Sequence, residues 1–206
     1  KPMLKIHKKP ILLSIVEKFA EYGYREFFMC VNYKSDIIQK FFGNGSDFGV
    51  NIEYIIEEKR MGTAGALSLL KKKPAEPFFV MNGDLLTNLN FDNMLSFHNE
   101  CNAFASMCVR EYKIEVPFGV VNARNENIIS IEEKPTHRFF VNAGIYVLNP
   151  DSIDLVPRDK LYDVPSLFEK FISNNKKTIS FPLKEYWLDI GRLADYKKAK
   201  SLIYNF

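Results

Sequence analysis

The chain has 206 residues, near the upper end of the common single-domain range of roughly 50–200, so one large core is expected. Apolar residues at 47%, charged residues at 26%, and 18 Phe with 10 Tyr exclude a disordered chain. A net charge of +3, from 28 Lys and Arg against 25 Asp and Glu, is too small and dispersed for a nucleic-acid surface, and no apolar run approaches the roughly 18 residues of a membrane span.

From Pro10 to Tyr22, Leu12, Ile15, Val16 and Phe19 recur at helical spacing, and Gly23 follows as a C-terminal cap. Phe27 to Val31 is a short apolar run, the pattern of a strand buried on both faces. Ser35 is placed to cap a second helix reaching Phe42, which Gly43, Asn44 and Gly45 break, and Ile52 to Ile56 reads as the next strand. Gly62 to Leu70 reads as a helix packed closely on a sheet, with Lys71 to Lys73 at the negative end of its dipole, and Phe78 to Met81 as a further buried strand. This alternation predicts a parallel sheet covered on both faces, with ligands beyond the carboxyl ends of its strands.

After a helix from Phe91 to Asn99 the pattern changes. Phe104 to Val109, Val116 to Val121, Ile128 to Glu133 and Phe139 to Leu148 are strands with short connections, which predicts an antiparallel or mixed portion containing a hairpin between Val121 and Ile128. Helices over Val164 to Ser173 and Leu193 to Tyr204 flank strands at Thr178 to Phe181 and Tyr186 to Leu188. The whole is read as one α/β domain over residues 1–206. Cys30, Cys101 and Cys108 are odd in number, and the first and last sit in apolar runs, so reduced core thiols and a cytoplasmic setting are expected. The first residues lack a signal-peptide layout. His7, His98 and His137 have no partners at zinc-ligand spacing.

Four segments carry candidate chemistry. Asn82-Gly83-Asp84 follows a buried strand; its glycine permits close backbone approach, and the Asp84 carboxylate suits Mg²⁺, although a polar turn ending a strand explains it equally simply. Trp187-Leu188-Asp189-Ile190-Gly191 puts a second acid at a strand end, either to complete a metal site or to cap the following helix. Glu57 to Gly65 is a charged loop leading into a glycine-containing helix start; its N–H groups suit a nucleotide or phosphate, with close helix–sheet packing as the alternative. At Glu132-Glu133-Lys134-Pro135, a Glu able to accept from sugar hydroxyls adjoins a Lys able to meet a phosphate, or the two form a solvated charge pair.

Taken in order, Lys1-Pro2-Met3-Leu4, Lys9-Pro10-Ile11-Leu12, Gly62-Thr63-Ala64-Gly65, Asn82-Gly83-Asp84, Phe118-Gly119-Val120-Val121, Glu132-Glu133-Lys134-Pro135, Asn142-Ala143-Gly144-Ile145-Tyr146 and Trp187-Leu188-Asp189-Ile190-Gly191 closely resemble the sugar-1-phosphate nucleotidyltransferase family. The likeness is greatest to the branch of mannose-1-phosphate guanylyltransferases and relatives joined to regulatory CBS domains. It spans nearly the whole chain. The resemblance implies a Rossmann-like domain with a mixed, mostly parallel central sheet and a small antiparallel portion. It also implies Mg²⁺ on Asp84 and Asp189, phosphate contact by Lys1, and a nucleotide near Gly62, Thr63, Asn82 and Gly83. Glu133, Asn142 and Gly144 would face the sugar, with Phe118 and Gly119 lining its pocket and Lys134 neutralising its phosphate. The implied reaction joins a nucleoside triphosphate, GTP favoured, to a sugar 1-phosphate with release of pyrophosphate. A homodimer is common among such enzymes, and CBS domains would lie outside this chain.

Three departures bear on that reading. Family members open with a buried strand and a glycine-rich loop that wraps the triphosphate, and Lys1 corresponds to a position just after it; without that part the sheet loses a central strand, and residues 1–206 alone are expected to be weakly active or inactive. Arg192 stands where many relatives carry Thr. No hexapeptide-repeat extension follows, so no acetyltransferase activity is expected. A catalytically silent nucleotide-sugar-binding subunit is the main alternative, and retention of both Asp84 and Asp189 argues against it; a glycosyltransferase lacks its Asp-x-Asp motif here.

Overall fold

The protein is described by a computed structural model covering residues 1–6 and 8–201. His7 and the last positions assigned to the final predicted helix, 202–204, lie outside the described residues. In chain order the elements are β1 (Lys5–Ile6), β2 (Lys9–Pro10), α1 (Ile11–Glu21), β3 (Glu26–Val31), α2 (Ser35–Phe42), β4 (Asn51–Ile56), α3 (Gly62–Gly65), β5 (Phe78–Met81), β6 (Leu85–Thr87), α4 (Phe91–Glu100), β7 (Ala105–Glu115), β8 (Gly119–Arg124), β9 (Asn127–Glu133), β10 (Thr136–Leu148), α5 (Val164–Ser173), β11 (Thr178–Leu183), β12 (Trp187–Asp189) and α6 (Leu193–Ser201).

The fold is mixed α/β. A four-stranded sheet runs in the order β11-β7-β10-β5, in which β10 is antiparallel to both neighbours and β11 is parallel to β7. Three of the four strands therefore point the same way, with β10 reversed between them. The predicted βαβ unit is present as the parallel pair β3–β4, joined through α2. The predicted antiparallel portion comprises the long β7–β10 pairing and the β8–β9 hairpin, whose turn contains Asn125 at φ +53°, a left-handed conformation that Asn tolerates better than most residues.

Helix α1 joins the two halves. It turns Ile11, Ile15 and Phe19 toward β6, α4 and β10, and Leu13 and Val16 toward β3 and β4. The Phe19 ring stacks on Phe91 at 3.9 Å between centroids and meets Phe27 of β3 at 6.1 Å and Phe79 of β5 at 5.4 Å, edge-on in both cases. Phe19 and Phe91 are buried and each contributes about 1.5–3 kcal/mol through burial, whereas Phe27 and Phe79 are partly buried and contribute less. Among the described residues, β3 pairs only with β4 and β5 only with β10, so one edge of each strand carries no ladder partner.

Several expectations are corrected. Strand β3 is not buried on both faces: Met29 and Val31 are buried, whereas Phe28 is 45% exposed and Cys30 is exposed, so Cys30 is not a core thiol. Strand β5 is half-buried throughout, consistent with its unpaired edge. Ser35 does not cap α2; Lys34, at φ +57°, holds the cap position, and no side chain supplies a bond there. The helix expected over Gly62 to Leu70 is a single α turn followed by a tighter 3₁₀ turn over Ala66–Leu69, which removes the long helix expected before Lys71 to Lys73. Cys108 is buried as expected, and none of the three cysteines is in a disulfide. No helix among the described residues is long and apolar enough to cross a membrane.

Candidate active site

The site grows from the carboxyl end of β5. After Met81 the chain passes through Asn82, Gly83 and Asp84 into β6, a three-residue strand antiparallel to β12. Asp189 pairs with Leu85, and the Ile190 N–H donates to the Asp84 carbonyl at 3.1 Å, so the two acids separated by about half the chain become neighbours. Leu85, Leu86 and Ile190 are buried beneath them and fix the backbone that carries both carboxyl groups. Asp189 thus ends a strand and does not cap a helix; α6 begins later, where the Arg192 N–H donates to Asp195 at 3.0 Å.

Charge at this corner is negative and poorly neutralised. Partial desolvation raises the Asp189 pKa above the ordinary carboxylate value, and the Asp84 carboxylate raises it further; Lys1 opposes the rise and Asp195 adds to it. The Lys1 ammonium lies 3.9 Å from Asp84 Oδ2 with both side chains accessible, a weak solvated pair. Lys1 is oriented by the backbone: Leu4 donates to the Lys1 carbonyl, and Ile11 and Leu12 donate to Leu4 and Pro2, which satisfies two N–H groups at the start of α1. A carboxylate whose ionisation is disfavoured by burial and by a neighbouring carboxylate fits a hard divalent cation. No cluster of three His, Cys, Asp or Glu exists among the described residues, so the protein offers such an ion two carboxylates, leaving other positions for phosphate or water oxygens.

A second group abuts the first through a bulge in β10. Between Asn142 and Tyr146 the register with β7 shifts, and the extra residues turn their carbonyls outward: Asn82 N–H donates to the Gly144 carbonyl at 3.0 Å, and the Trp187 indole N–H donates to the Ala143 carbonyl at 2.8 Å. Gly144 sits at φ +74°, and a Cβ there would lie 2.7 Å from the Asn82 side-chain nitrogen, so glycine is required twice over. The Asn142 amide donates to the Tyr146 hydroxyl at 2.7 Å and accepts from the Gly144 N–H at 2.9 Å, which locks its orientation. A Cβ at Gly83, by contrast, would make only ordinary contacts with Pro2 and Leu12.

The Gly62–Gly65 turn differs from expectation in one respect. Its N–H groups do not form an open cradle: Thr63 donates to Asp163 at 2.8 Å, and Ala64 and Gly65 both donate to the Tyr162 carbonyl at 2.9 Å. These three N–H groups are therefore already engaged within the protein and are not free to meet a phosphate. Gly62 is needed because φ is +80° and a Cβ would sit 2.6 Å from the Tyr162 oxygen. On its other side, Glu57 accepts from the Met61 N–H at 3.1 Å and its own backbone is held by Val31 and the Asn32 side chain.

Phe118, Gly119, Glu133 and Lys134 gather at the base of the β8–β9 hairpin. Gly119 pairs with Glu133, a Cβ at Gly119 would meet the Glu133 carboxylate at 2.9 Å, and the Lys134 N–H donates to the Phe118 carbonyl at 3.3 Å. Lys134 adopts φ +47°, a sparsely populated conformation for a residue other than Gly. Glu133 and Lys134 form no ion pair with each other, and among the described residues no hydrogen bond or ion pair links these two to Asp84, Asp189 or Asn142. Phe118 is 72% exposed.

Three residues that hold the site were not singled out in the sequence: Tyr146, which orients Asn142; the Trp187 side chain, which ties β12 to the β10 bulge; and Asp163, which grips Thr63. Trp187 and Tyr146 lie within segments already noted, but Asp163 is separated by 100 residues from its partner, and its only local signal is that of a helix N-cap.

Comparison with known proteins shows the family of the chain. A family model described as nucleotidyl transferase matches residues 1–205. The chain is 30% identical over 98% of its length to the mannose-1-phosphate guanyltransferase of Yarrowia lipolytica and 32% identical over 95% to that of Schizosaccharomyces pombe, spanning 58% and 56% of those relatives. It thus spans somewhat over half the length of the curated relatives it matches. HddC from Yersinia pseudotuberculosis superposes with a TM-score of 0.75 at 26% identity, covering 97% of this chain and 88% of that one. A putative glucose-1-phosphate thymidylyltransferase from Bacillus anthracis, in complex with a sucrose, gives 0.78 at 21% identity, covering 100% of this chain and 88% of that one, a likeness of fold. The family model's match along nearly the whole chain places this protein in the nucleotidyl transferase family.

Proposed function

We propose that the protein joins a nucleoside triphosphate, GTP favoured, to a sugar 1-phosphate, giving a nucleoside-diphosphate sugar and pyrophosphate. The observation that carries this reading is the corner where Asp84, Asp189 and Lys1 adjoin the Asn82–Gly144 junction: two neighbouring aspartates suited to a divalent metal beside an exposed Asn142 whose amide is fixed by hydrogen bonds. The relatives named for guanylyl transfer to mannose 1-phosphate favour guanine and leave mannose as the first sugar to try.

In this reaction a phosphate oxygen of the sugar 1-phosphate attacks the α-phosphorus. The bond from that phosphorus to the bridging oxygen of the β-phosphate breaks, and pyrophosphate leaves with the electron pair. The attacking oxygen is already ionised at neutral pH, so no general base is needed. Catalysis rests on positioning and charge neutralisation. Mg²⁺, held by Asp84 and Asp189, would supply Lewis-acid neutralisation of the phosphate charge. Lys1 contributes a positive charge on the same side, and Asn142 and Gly144 set the sugar against the Asn82 edge. Glu133 accepts from sugar hydroxyls while Lys134 meets the sugar phosphate, with Phe118 and Gly119 forming the wall of that pocket; their exposure at the hairpin base leaves them accessible to substrate.

We further propose that full activity draws on a strand and glycine-rich loop preceding Lys1 in the chain. The unpaired edges of β3 and β5 beneath Phe19, and the exposure of Phe28, support that reading. The test is pyrophosphate release by the protein with its natural N-terminus, over a panel of triphosphates crossed with hexose and amino-hexose 1-phosphates, with and without Mg²⁺. Metal-dependent release in one combination establishes the reaction and names the substrates. Silence across the panel with tight binding of a nucleotide sugar would replace it with a sensing role, and full turnover by a chain starting at Lys1 would remove the need for the preceding loop.

A further inference from the structure

Asp163 is the first residue before α5, where an aspartate ordinarily accepts from N–H groups of its own helix. It makes no such bond. Its Oδ1 accepts instead from the Thr63 N–H at 2.8 Å and the Thr63 hydroxyl at 3.1 Å, and the Thr63 hydroxyl oxygen accepts from the Val164 N–H at 2.9 Å. The two residues have exchanged duties: Thr63 satisfies the start of α5, and Asp163 satisfies the start of α3. The backbone repeats the exchange, with Tyr162 donating to Met61 and accepting from Ala64 and Gly65. Gly65 is also close to this segment, since a Cβ there would lie 2.8 Å from the Lys160 carbonyl.

Such reciprocity exceeds what capping either short element requires. A local cap would leave the β4–α3 loop free to move against α5; this arrangement fixes it. The same carboxylate lies near Tyr146, the residue that orients Asn142: burial raises the Tyr146 pKa, the Asn142 hydrogen bond lowers it, and Asp163 adds to the rise. Asp163 therefore holds Thr63 beside Gly62 and acts electrostatically on the Tyr146 hydroxyl that Asn142 bonds, and among the described residues no hydrogen bond or ion pair links it to Asp84 or Asp189.

We propose that Asp163 is a positioning residue for the nucleotide: by holding Thr63 it sets the Gly62–Gly65 turn in the shape that receives the base. This rests on the functional reading above, in which that turn meets the nucleotide. The test uses the full-length protein as wild type, Asp163→Ala and Asp163→Asn, with two measurements: equilibrium binding of GTP (and of ATP, UTP, CTP and dTTP), and steady-state kinetics with each substrate varied separately. Because one charge-assisted acceptor serves two donors, Asp163→Ala is expected to weaken triphosphate binding and raise its KM by about tenfold, with kcat and the sugar-phosphate KM changed less than about threefold. Asp163→Asn, whose carbonyl oxygen still accepts from Thr63, is expected to recover most of the loss. Unaltered triphosphate affinity in Asp163→Ala, or an equal loss for both substrates that follows melting temperature and is not recovered by Asn, overturns the proposal. Wild-type silence in turnover with intact triphosphate binding would sink the proposed reaction alone, since the binding comparison still decides the role of Asp163; no triphosphate binding by the wild type overturns both.

Discussion

Two regions of this molecule handle the same kind of sequence signal in opposite ways. At the β5–β6–β12 corner, Asp84 and Asp189 stand on backbone fixed by Leu85, Leu86 and Ile190, with the Trp187 indole and the Asn82 N–H bonded into the β10 bulge. At the β8–β9 hairpin, every residue of β9 is exposed, and Glu133 and Lys134 are placed by backbone pairing alone. The corner is thus held by tertiary bonds independent of any ligand, whereas the hairpin base presents exposed charge; under the proposed function the metal side would be organised before substrate arrives and the sugar-phosphate side would be ordered by it. Groups preorganised where charge develops act on the transition state, and groups that meet substrate and transition state alike act mainly in binding.

The largest expected effect falls at the corner. Asp84→Ala and Asp189→Ala should each lower metal-dependent pyrophosphate release by at least about 10²-fold, the scale seen when a preorganised electrostatic group is removed, while melting temperature stays near that of the wild type. Next is the junction between regions. Gly144→Ala forces a side chain into φ +74° and against Asn82, so it should cost about 1–3 kcal/mol of stability, visible in thermal or urea unfolding, together with a loss of turnover. A Gly144→Ala protein as stable as wild type would show that the bulge adapts and that the corner is less rigid than described.

The hairpin should respond differently. Lys134→Ala breaks no ion pair, so it should leave unfolding unchanged and raise the sugar-phosphate KM by about tenfold, the weight of one charge-assisted contact. A fall in kcat of the same size as that in kcat/KM would mean that Lys134 acts in the transition state and belongs with the corner. The smallest effect is a stability difference at Asp189. Its folded-state pKa is raised, so its contribution favours folding below the ordinary carboxylate pKa and is lost as pH rises through the raised value. Without metal, Asp189→Asn should therefore melt at or slightly above the wild type at neutral pH, with the difference vanishing in acid; a lower melting point at neutral pH would mean that the carboxylate has a structural partner.

The legible parts of the fold were those written in local pattern. Helices α1, α4 and α5 follow apolar periodicity, the Val121–Ile128 turn follows its Asn, and both carboxylates were found because they close apolar strand-like runs. What was hidden depends on distant partners. Strand β6 has three residues and exists because β12 pairs with it. Residues 62–70 carry helix-forming side chains, but Tyr162 captures the turn's N–H groups and Gly62 takes a left-handed conformation, so the helix lasts one turn. Cys30 occupies an apolar run on a strand with one unpaired edge, and sequence alone does not show which face is covered. Asp163 looks like an ordinary N-cap until Thr63 is brought against it from 100 residues away.

The most direct test of the central claim, that Asp84 and Asp189 make one metal site, is Mn²⁺ binding followed by electron paramagnetic resonance, with Mn²⁺ standing in for Mg²⁺ as another oxygen-seeking divalent ion. The wild type, Asp84→Ala and Asp189→Ala would be titrated with the bound triphosphate present in each case. Either substitution alone is expected to remove the protein-dependent part of the binding, because both carboxylates would serve the same ion. Retention of wild-type Mn²⁺ affinity in either folded variant would contradict that claim and leave the metal to the remaining carboxylate or to the nucleotide alone.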